Sequence, residues 1–251
     1  MQTFVKHIVE PEHLLLVWQA PDHMKNRRRW VVGRVDVRST PWSMRYLIGS
    51  EFEAANQGAT FEEVASLGYE GYPAFFRKGE KVSFDAGVHE AFMRRLPPRN
   101  RPDFLTYLQR FGFADALGLS DAALLAYTEG KLPSDGFSLV GELRSEILIG
   151  DLMLDLAGTR YQDFGDECPA KPGSELKLRR EPDNAFDPNA IQVMWGDQRI
   201  GYVNRTQAPA VGFWMDHRKI TAILHRINGR AGNPKVYVLL RVRPDNHQLA
   251  A

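Results

Sequence analysis

The feature that most constrains the fold is a cluster of turn-forming residues between two segments that read as β-strands. The cluster has the sequence EPDNAFDPN and runs from Glu181 to Asn189. Proline fixes its own φ angle, and Asn and Asp side chains accept hydrogen bonds from the backbone that follows them. The pattern predicts a rigid turn that presents Phe186 and Asp187 side by side, the ring as a stacking surface and the carboxylate as an acceptor.

A second short segment supplies similar chemistry. Gly158-Thr159-Arg160-Tyr161 adds a cation and another ring near the end of a strand predicted over residues 156–162. Proteins hold single-stranded nucleic acid by stacking bases on aromatic rings and by placing cations beside phosphates. The two segments together predict a nucleotide-binding site.

The C-terminal part of the chain, residues 146–251, is predicted to be a small barrel, mostly β with one helix. Gly196-Asp197 predicts a tight hairpin between two of its strands. Small barrels of this kind expose a face and loops that suit single strands. Strands are predicted over 156–162, 175–180, 190–195, 199–203, 219–227 and 235–242, and the helix over 206–215.

These residues resemble the HIRAN domain, and the similarity runs from about Leu152 to Val242. HIRAN domains are OB-like barrels that occur alone in bacteria and at the front of a eukaryotic fork-remodelling helicase, where the domain binds the 3′ end of single-stranded DNA. Two positions depart from the family pattern: Phe186 stands where Tyr is usual, and Gln162 replaces a ring. The resemblance implies that the terminal nucleotide is held by Arg160, Tyr161, Phe186 and Asp187, that Asn189 shapes the turn, and that Tyr202 adds a further contact.

Charge is distributed unevenly along the chain. Residues 1–150 carry 18 Lys/Arg and 19 Asp/Glu, whereas residues 199–243 carry nine Lys/Arg and only Asp216 as an acid. Alternate positions of a strand share a face, so Arg241 and Arg243 are predicted to project together. We expect Arg226, Arg230 and Arg241 to add phosphate contacts to the binding site.

The N-terminal part, residues 1–145, is predicted to be a separate α+β domain. Thr60 to Glu63 form a capping-box pattern in front of a helix that Gly68 ends. Pro102 and Ser120 begin two further helices, of which Gly112 closes the first. Strands are predicted over 5–9, 14–19, 30–37 and 45–48.

This part resembles the N-terminal subdomain of HipA-like proteins. HipA is a toxin kinase whose catalytic machinery lies in a region that these residues do not match. In some operons the subdomain is a separate protein that restrains its kinase, so the resemblance implies a protein-interaction module with a HipA-like kinase or another protein as partner. The resemblance rests on residues 17–19, 30–35, 44–46, 92–104, 124–130 and 135–137.

The sequence contains no phosphate loop, zincin motif or nucleophile elbow, so we expect a protein without catalytic residues, cofactor or metal. A metal-dependent nuclease is the alternative, because Asp163, Asp166 and Glu167 could hold Mg²⁺. Cys168 is the single cysteine, and no stretch has the length and apolarity of a signal peptide or membrane span. We therefore expect a cytoplasmic protein that has no membrane partner and binds either single-stranded DNA ends or a HipA-type kinase.

Overall fold

The computed structural model describes residues 4–21, 23–24, 28–76, 82–116, 118–132, 135–162, 164, 168–230 and 233–245, with only the backbone of Arg230 and Asn233. The chain divides into two compact units. One unit, here called the α+β unit, consists of Glu10–Arg101 and Leu119–Glu142. The other, the barrel unit, consists of Met1–Val9, Pro102–Gly118 and Leu143–Ala251.

Two antiparallel sheets form the framework, one in each unit, in the orders β4-β3-β2-β1-β5 and β6-β11-β10-β7-β8-β9. In chain order the elements are β1 His13–Gln19, β2 Arg29–Asp36, β3 Ser43–Tyr46, α1 Gly49–Ala55, α2 Phe61–Ser66, β4 Ser83–Phe84, α3 Val88–Met93, α4 Phe104–Gln109, α5 Asp121–Thr128, β5 Phe137–Gly141, β6 Gly150–Asp155, a 3-10 turn Thr159–Tyr161, β7 Glu175–Arg180, β8 Ile191–Trp195, β9 Gln198–Tyr202, α6 Ala208–His217, β10 Arg218–Arg230 and β11 Asn233–Pro244.

The α+β unit packs its helices on a sheet through aromatic side chains. Trp18, Trp30, Trp42 and Tyr46 are all buried, so these rings form the core and do not offer stacking surfaces to a ligand. The predicted start of helix α5 coincides with a cap in the structure. Ser120 Oγ accepts a hydrogen bond of 2.9 Å from the backbone N–H of Ala123 at the start of α5, which satisfies one of the free donors of the first turn.

The barrel unit is built on the long hairpin β10–β11, which carries β6 on one side and β7–β9 on the other. Its inward side chains are fully buried, among them Leu154, Leu224 and Val238. The two outermost strands meet where Ala157 and Tyr202 exchange backbone hydrogen bonds of 2.8 and 2.9 Å. This contact closes one end of the sheet into a half-barrel, in agreement with the predicted OB-like fold.

The outward face of β6 is covered by two segments that the sequence analysis placed in the first domain. The backbone N–H of Val5 donates to Gly112 O at 2.7 Å, and a Cβ at Gly112 would lie 2.8 Å from Met153 Cε. The chain passes close to the sheet because Asp151 on that face is fully buried and binds the N–H of Lys6 at 2.8 Å. Through these contacts residues 1–9 and 102–118 belong to the barrel unit, so the units are not divided at residue 145.

Two strand predictions were wrong. Residues 156–162, expected to be a strand, follow the end of β6 at Asp155. Gly158 there adopts a φ of 71° and precedes the 3-10 turn. The strand expected over 5–9 is reduced to a single bridge between Ile8 and Asp151. Strand β7 and the Gly196 hairpin follow the predictions closely.

Candidate nucleic-acid interface

The Phe186 turn, residues 181–190, is held by side-chain hydrogen bonds to its own backbone. Asn184 Oδ1 accepts from the N–H of Phe186 at 2.9 Å and from that of Asp187 at 3.1 Å. Asp187 Oδ1 accepts from the N–H of Asn189 at 2.9 Å. Consecutive Asx-type bonds of this kind fix the backbone conformation, so the turn is rigid, as the sequence predicts.

Glu181 anchors the Phe186 turn to the sheet. Its Oε2 accepts from Asn184 Nδ2 at 2.6 Å and from the Tyr202 hydroxyl at 2.8 Å. Its Oε1 accepts from Gln192 Nε2 at 2.7 Å. The hydrogen bond from Asn184, with those from Tyr202 and Gln192, lowers the pKa of the Glu181 carboxyl, because these donors stabilise the ionised form.

The Tyr161 turn, residues 158–162, lies against the ring of Tyr202. A Cβ at Gly158 would be 3.2 Å from Tyr202 Cδ2, so glycine permits this close approach. Gln162 Oε1 accepts from Arg199 Nε at 3.1 Å, and Arg199 Nη1 donates to the Tyr202 hydroxyl at 2.6 Å. Tyr202 therefore connects both turns, because its hydroxyl in turn donates to Glu181.

The rings on the two turns are exposed, in contrast to most large apolar residues of the chain. Tyr161 is 69% exposed and Phe186 is 82% exposed. Arg160 donates to the Tyr161 hydroxyl, and its guanidinium lies 4.6 Å from the centre of that ring. Two exposed aromatic faces on turns joined by hydrogen bonds, with a cation beside one of them, form a surface suited to stacking on bases.

Asp187 lies deeper than the sequence suggests. Its residue exposure is only 8%, so the carboxylate is largely buried although the neighbouring Phe186 ring is exposed. The reason is its second role as the acceptor that closes the turn at Asn189. A neighbouring arginine also contacts this carboxylate.

That arginine, Arg205, is a residue that the sequence reasoning missed. Its Nε lies 3.5 Å from Asp187 Oδ2, and its Nη2 donates to Phe186 O at 2.6 Å. The only signal in the sequence is that Arg205 belongs to the basic stretch 199–243. Its contact with the turn depends on the chain path between β9 and α6, which spacing alone does not define.

Three arginines of the basic stretch 199–243, here called the basic tail, have partners inside the protein. Arg243 binds Asp151 Oδ1 at 2.6 Å, and Arg241 Nη2 donates to Phe4 O at 3.4 Å. Arg226 lies 4.0 Å from the ring centre of Tyr237, and desolvation lowers its pKa. Arg241 and Arg243 do project together, but toward a buried carboxylate. The side chain of Arg230 lies outside the described residues.

Arg241 is also distant from the turns along the strand. It pairs with Asp151, whereas Tyr237 pairs with Asp155 at the end of β6 from which the Tyr161 turn begins. Four residues of strand span roughly 13 Å. The geometry therefore favours a structural role for Arg241 over the phosphate contact that the sequence suggested, and the phosphate contact expected of Arg226 stays a prediction.

The acidic residues of the nuclease alternative, Asp163, Asp166 and Glu167, lie outside the described residues. In the described part of the chain, no group of three or more His, Cys, Asp or Glu side chains could hold a metal ion. No helix there has the length and apolarity to cross a membrane.

The fold and the two turns define a small β-domain with an exposed aromatic site. Residues 149–243 match the family model of the HIRAN domain, and they form such a domain in this chain. The Helicase-like transcription factor of Mus musculus is 26% identical over 145 residues, which cover 57% of this chain. The protein of the same name from Oryctolagus cuniculus is 29% identical over 134 residues, or 53% of this chain. The chain spans only 12% and 11% of the length of these relatives.

Two solved structures are similar to part of the chain. The HIRAN domain of human HLTF is 21% identical and covers 41% of this chain and 84% of its own, with a TM-score of 0.32. A Lactobacillus plantarum protein is 23% identical and covers 38% of this chain and 95% of its own, with a TM-score of 0.31. The family match begins at residue 149, so the resemblance of residues 1–145 to HipA stays a prediction.

Proposed function

We propose that the HIRAN domain of this protein binds the 3′-hydroxyl end of single-stranded DNA and catalyses no reaction. The observation that carries the proposal is the pair of exposed rings, Tyr161 and Phe186, on two turns that Tyr202 and Glu181 join. The resemblance to HIRAN domains supports it, since the matching residues hold a terminal nucleotide in that family. Stacking accepts every base, so sequence preference is weak.

In this proposal Asp187 accepts a hydrogen bond from the 3′-hydroxyl. An ionised carboxylate only accepts hydrogen bonds, so it suits a hydroxyl donor and repels a terminal phosphate. The contact between Arg205 and Asp187 is long, at 3.5 Å, and exceeds the distances usual for a charge-assisted hydrogen bond. The incoming hydroxyl replaces part of this contact, while Asn189 keeps its bond to the other oxygen.

The experiment that tests end recognition compares strands that differ only at the 3′ terminus. Short deoxythymidine strands labelled at the 5′ end, with a 3′-hydroxyl or a 3′-phosphate, are titrated with the full chain and followed by fluorescence polarisation. The hydroxyl strand should bind at least about tenfold more tightly, because one charged hydrogen bond contributes roughly 1.5–3 kcal/mol. Equal affinity for both strands would contradict end recognition.

The α+β unit acts as a protein-interaction module in this proposal. Its described tryptophans are in the core, so they provide no second stacking surface for a nucleic acid. The resemblance to the HipA subdomain makes a HipA-type kinase the partner to test, by co-purification of the two proteins with and without single-stranded DNA. Inhibition of the kinase by a chain that binds no DNA end would favour the regulator function instead.

A further inference from the structure

The outward face of β7–β9 forms a cationic surface that continues directly from the proposed end site. Strand register places its residues in two rows of three, Lys177–Met194–Arg199 and Arg179–Gln192–Tyr202. Contacts confirm that they share one face: Arg179 Nε donates to Gln192 at 2.8 Å, and Arg199 lies 4.9 Å from the Tyr202 ring centre. Three of these six residues are cations and none is an acid.

Two cations of this face, Arg179 and Arg199, are positioned by hydrogen bonds to neighbouring side chains. Met194 lies between Lys177 and Arg199 and is buried, although it is on the outward side of the strand. The methylene stems of long cationic side chains cover apolar surface in this way and keep the charged groups in water. Arg199 is fixed further by its bonds to Gln162 and Tyr202.

Two acids adjoin the face on β7 and its extension. Glu181 carries hydrogen bonds from three side chains and lies 3.7 Å from Arg199, so its charge is largely compensated. Glu175 is exposed and precedes Lys177 by two positions. Lys177 and Arg179 therefore lie between the compensated carboxylate of Glu181 and the exposed carboxylate of Glu175. Neutralising Glu175 tests how a nearby negative charge affects the face.

We propose that this cationic face binds the phosphodiester backbone of the DNA strand that leads away from the bound 3′ end. The inference rests on the proposed function, and it names the path of the strand. Tyr202 belongs both to the face and to the end site, so the two surfaces are continuous. From Tyr202 to Arg179 is a step of two strands, or about 10 Å, which a stacked strand covers in roughly three nucleotides.

The experiment compares 3′-hydroxyl oligothymidylates of two and of eight nucleotides on the full chain and its variants. Lys177→Gln/Arg179→Gln should bind the short strand as the parent does, and should bind the long strand about fivefold more weakly per lost contact at 0.1 M salt. The slope of log K against log salt for the long strand should become shallower by about 0.7 per contact. Glu175→Gln should change affinity in the opposite direction and tighten the long strand.

A matched control removes one lysine and one arginine elsewhere. Lys219→Gln/Arg94→Gln changes two exposed residues off the face and should leave both strands unaffected, and melting temperatures check that each variant folds. Binding of the short strand with no gain from added length, or equal loss in the control, overturns the path while the end site stands. Competition by poly-glutamate as strong as by unlabelled DNA also overturns it. Failure of both strands to bind removes the proposed function itself.

Discussion

The two turns and the basic tail are both rich in residues that bind nucleic acid, yet the structure uses them differently. In the turns, Tyr161 and Phe186 are exposed while the polar side chains around them are bonded to one another. In the tail, Arg241 and Arg243 extend to the buried Asp151. Polar residues of the turns hold an exposed aromatic surface in place, whereas Arg241 and Arg243 compensate a buried carboxylate.

This difference shows what a cluster of charges in a sequence can mean. An arginine contributes to binding only if its charge is accessible to a phosphate, and a buried carboxylate nearby removes that possibility. Asp151 requires compensation because an ionised group in the interior is strongly destabilising without a partner. Two of the basic residues of the tail, Arg241 and Arg243, therefore compensate one acid, Asp151, that is distant in sequence.

Asp151→Asn should produce the largest effect. The substitution leaves Arg241 and Arg243 beside a neutral amide and replaces one of the two acceptor oxygens, which bind the Lys6 N–H and Arg243, by an NH₂ group. Breaking a buried charge pair costs about 3–5 kcal/mol, so thermal denaturation should show a clearly lower melting temperature. Asp197→Asn, at an exposed position of the Gly196 hairpin, is the control and should change stability by less than about 0.5 kcal/mol. Equal melting of the two variants would show that the tail arginines are not structural.

Asp187→Asn should weaken binding of a 3′-hydroxyl end by about tenfold or more while the fold is retained. The amide oxygen can still accept from Asn189, so the turn keeps its closing bond, but the charged hydrogen bond to the ligand is lost. Discrimination against a 3′-phosphate should shrink because the repulsion is removed. Titration of both strands measures this, and Asp187→Ala is the comparison in which the turn is damaged as well. A variant with unchanged discrimination would restrict Asp187 to closing the turn.

Tyr161→Ala and Phe186→Ala should each weaken binding by roughly 1–3 kcal/mol, the contribution usual for a stacked base. Phe186→Tyr keeps the ring and should bind as the parent does. Trp195→Ala serves as the control, since Trp195 is 41% exposed at the opposite end of β8 from the Phe186 turn. If neither alanine variant loses affinity in a polarisation assay, the nucleotide site lies elsewhere.

Glu181→Gln should have a smaller effect on binding. One carboxylate oxygen becomes an NH₂ group that faces the donors Asn184, Tyr202 or Gln192, so at least one hydrogen bond is lost, worth about 1 kcal/mol. Binding of hydroxyl and phosphate ends should weaken equally, because Glu181 acts through the turn and not on the terminus. A selective loss for one terminus would place Glu181 in direct contact with the ligand.

The sequence predicts the Phe186 turn well because its information is local. Pro, Asn and Asp determine the backbone within a few residues, and the structure shows the bonds that this chemistry implies. Strand β7 and helix α5 were predicted for the same reason, through alternation and a cap. Arg205, the depth of Asp187 and the partners of Arg241 depend on distant segments that meet in space. No pattern within a short window contains that information.

Arg241→Gln should produce the smallest effect, and it tests the comparison most directly. If Arg241 contacts a phosphate, as its sequence position suggests, the salt dependence on a long strand should become shallower by about 0.7. The structure leads us to expect no change, because this side chain bonds to Phe4 O and lies 4.0 Å from Asp151. Arg160→Gln is the positive control, since Arg160 lies beside the exposed Tyr161 ring and should give the full change in slope. A change in the salt slope for Arg241→Gln equal to that for Arg160→Gln would show that Arg241 contacts the DNA.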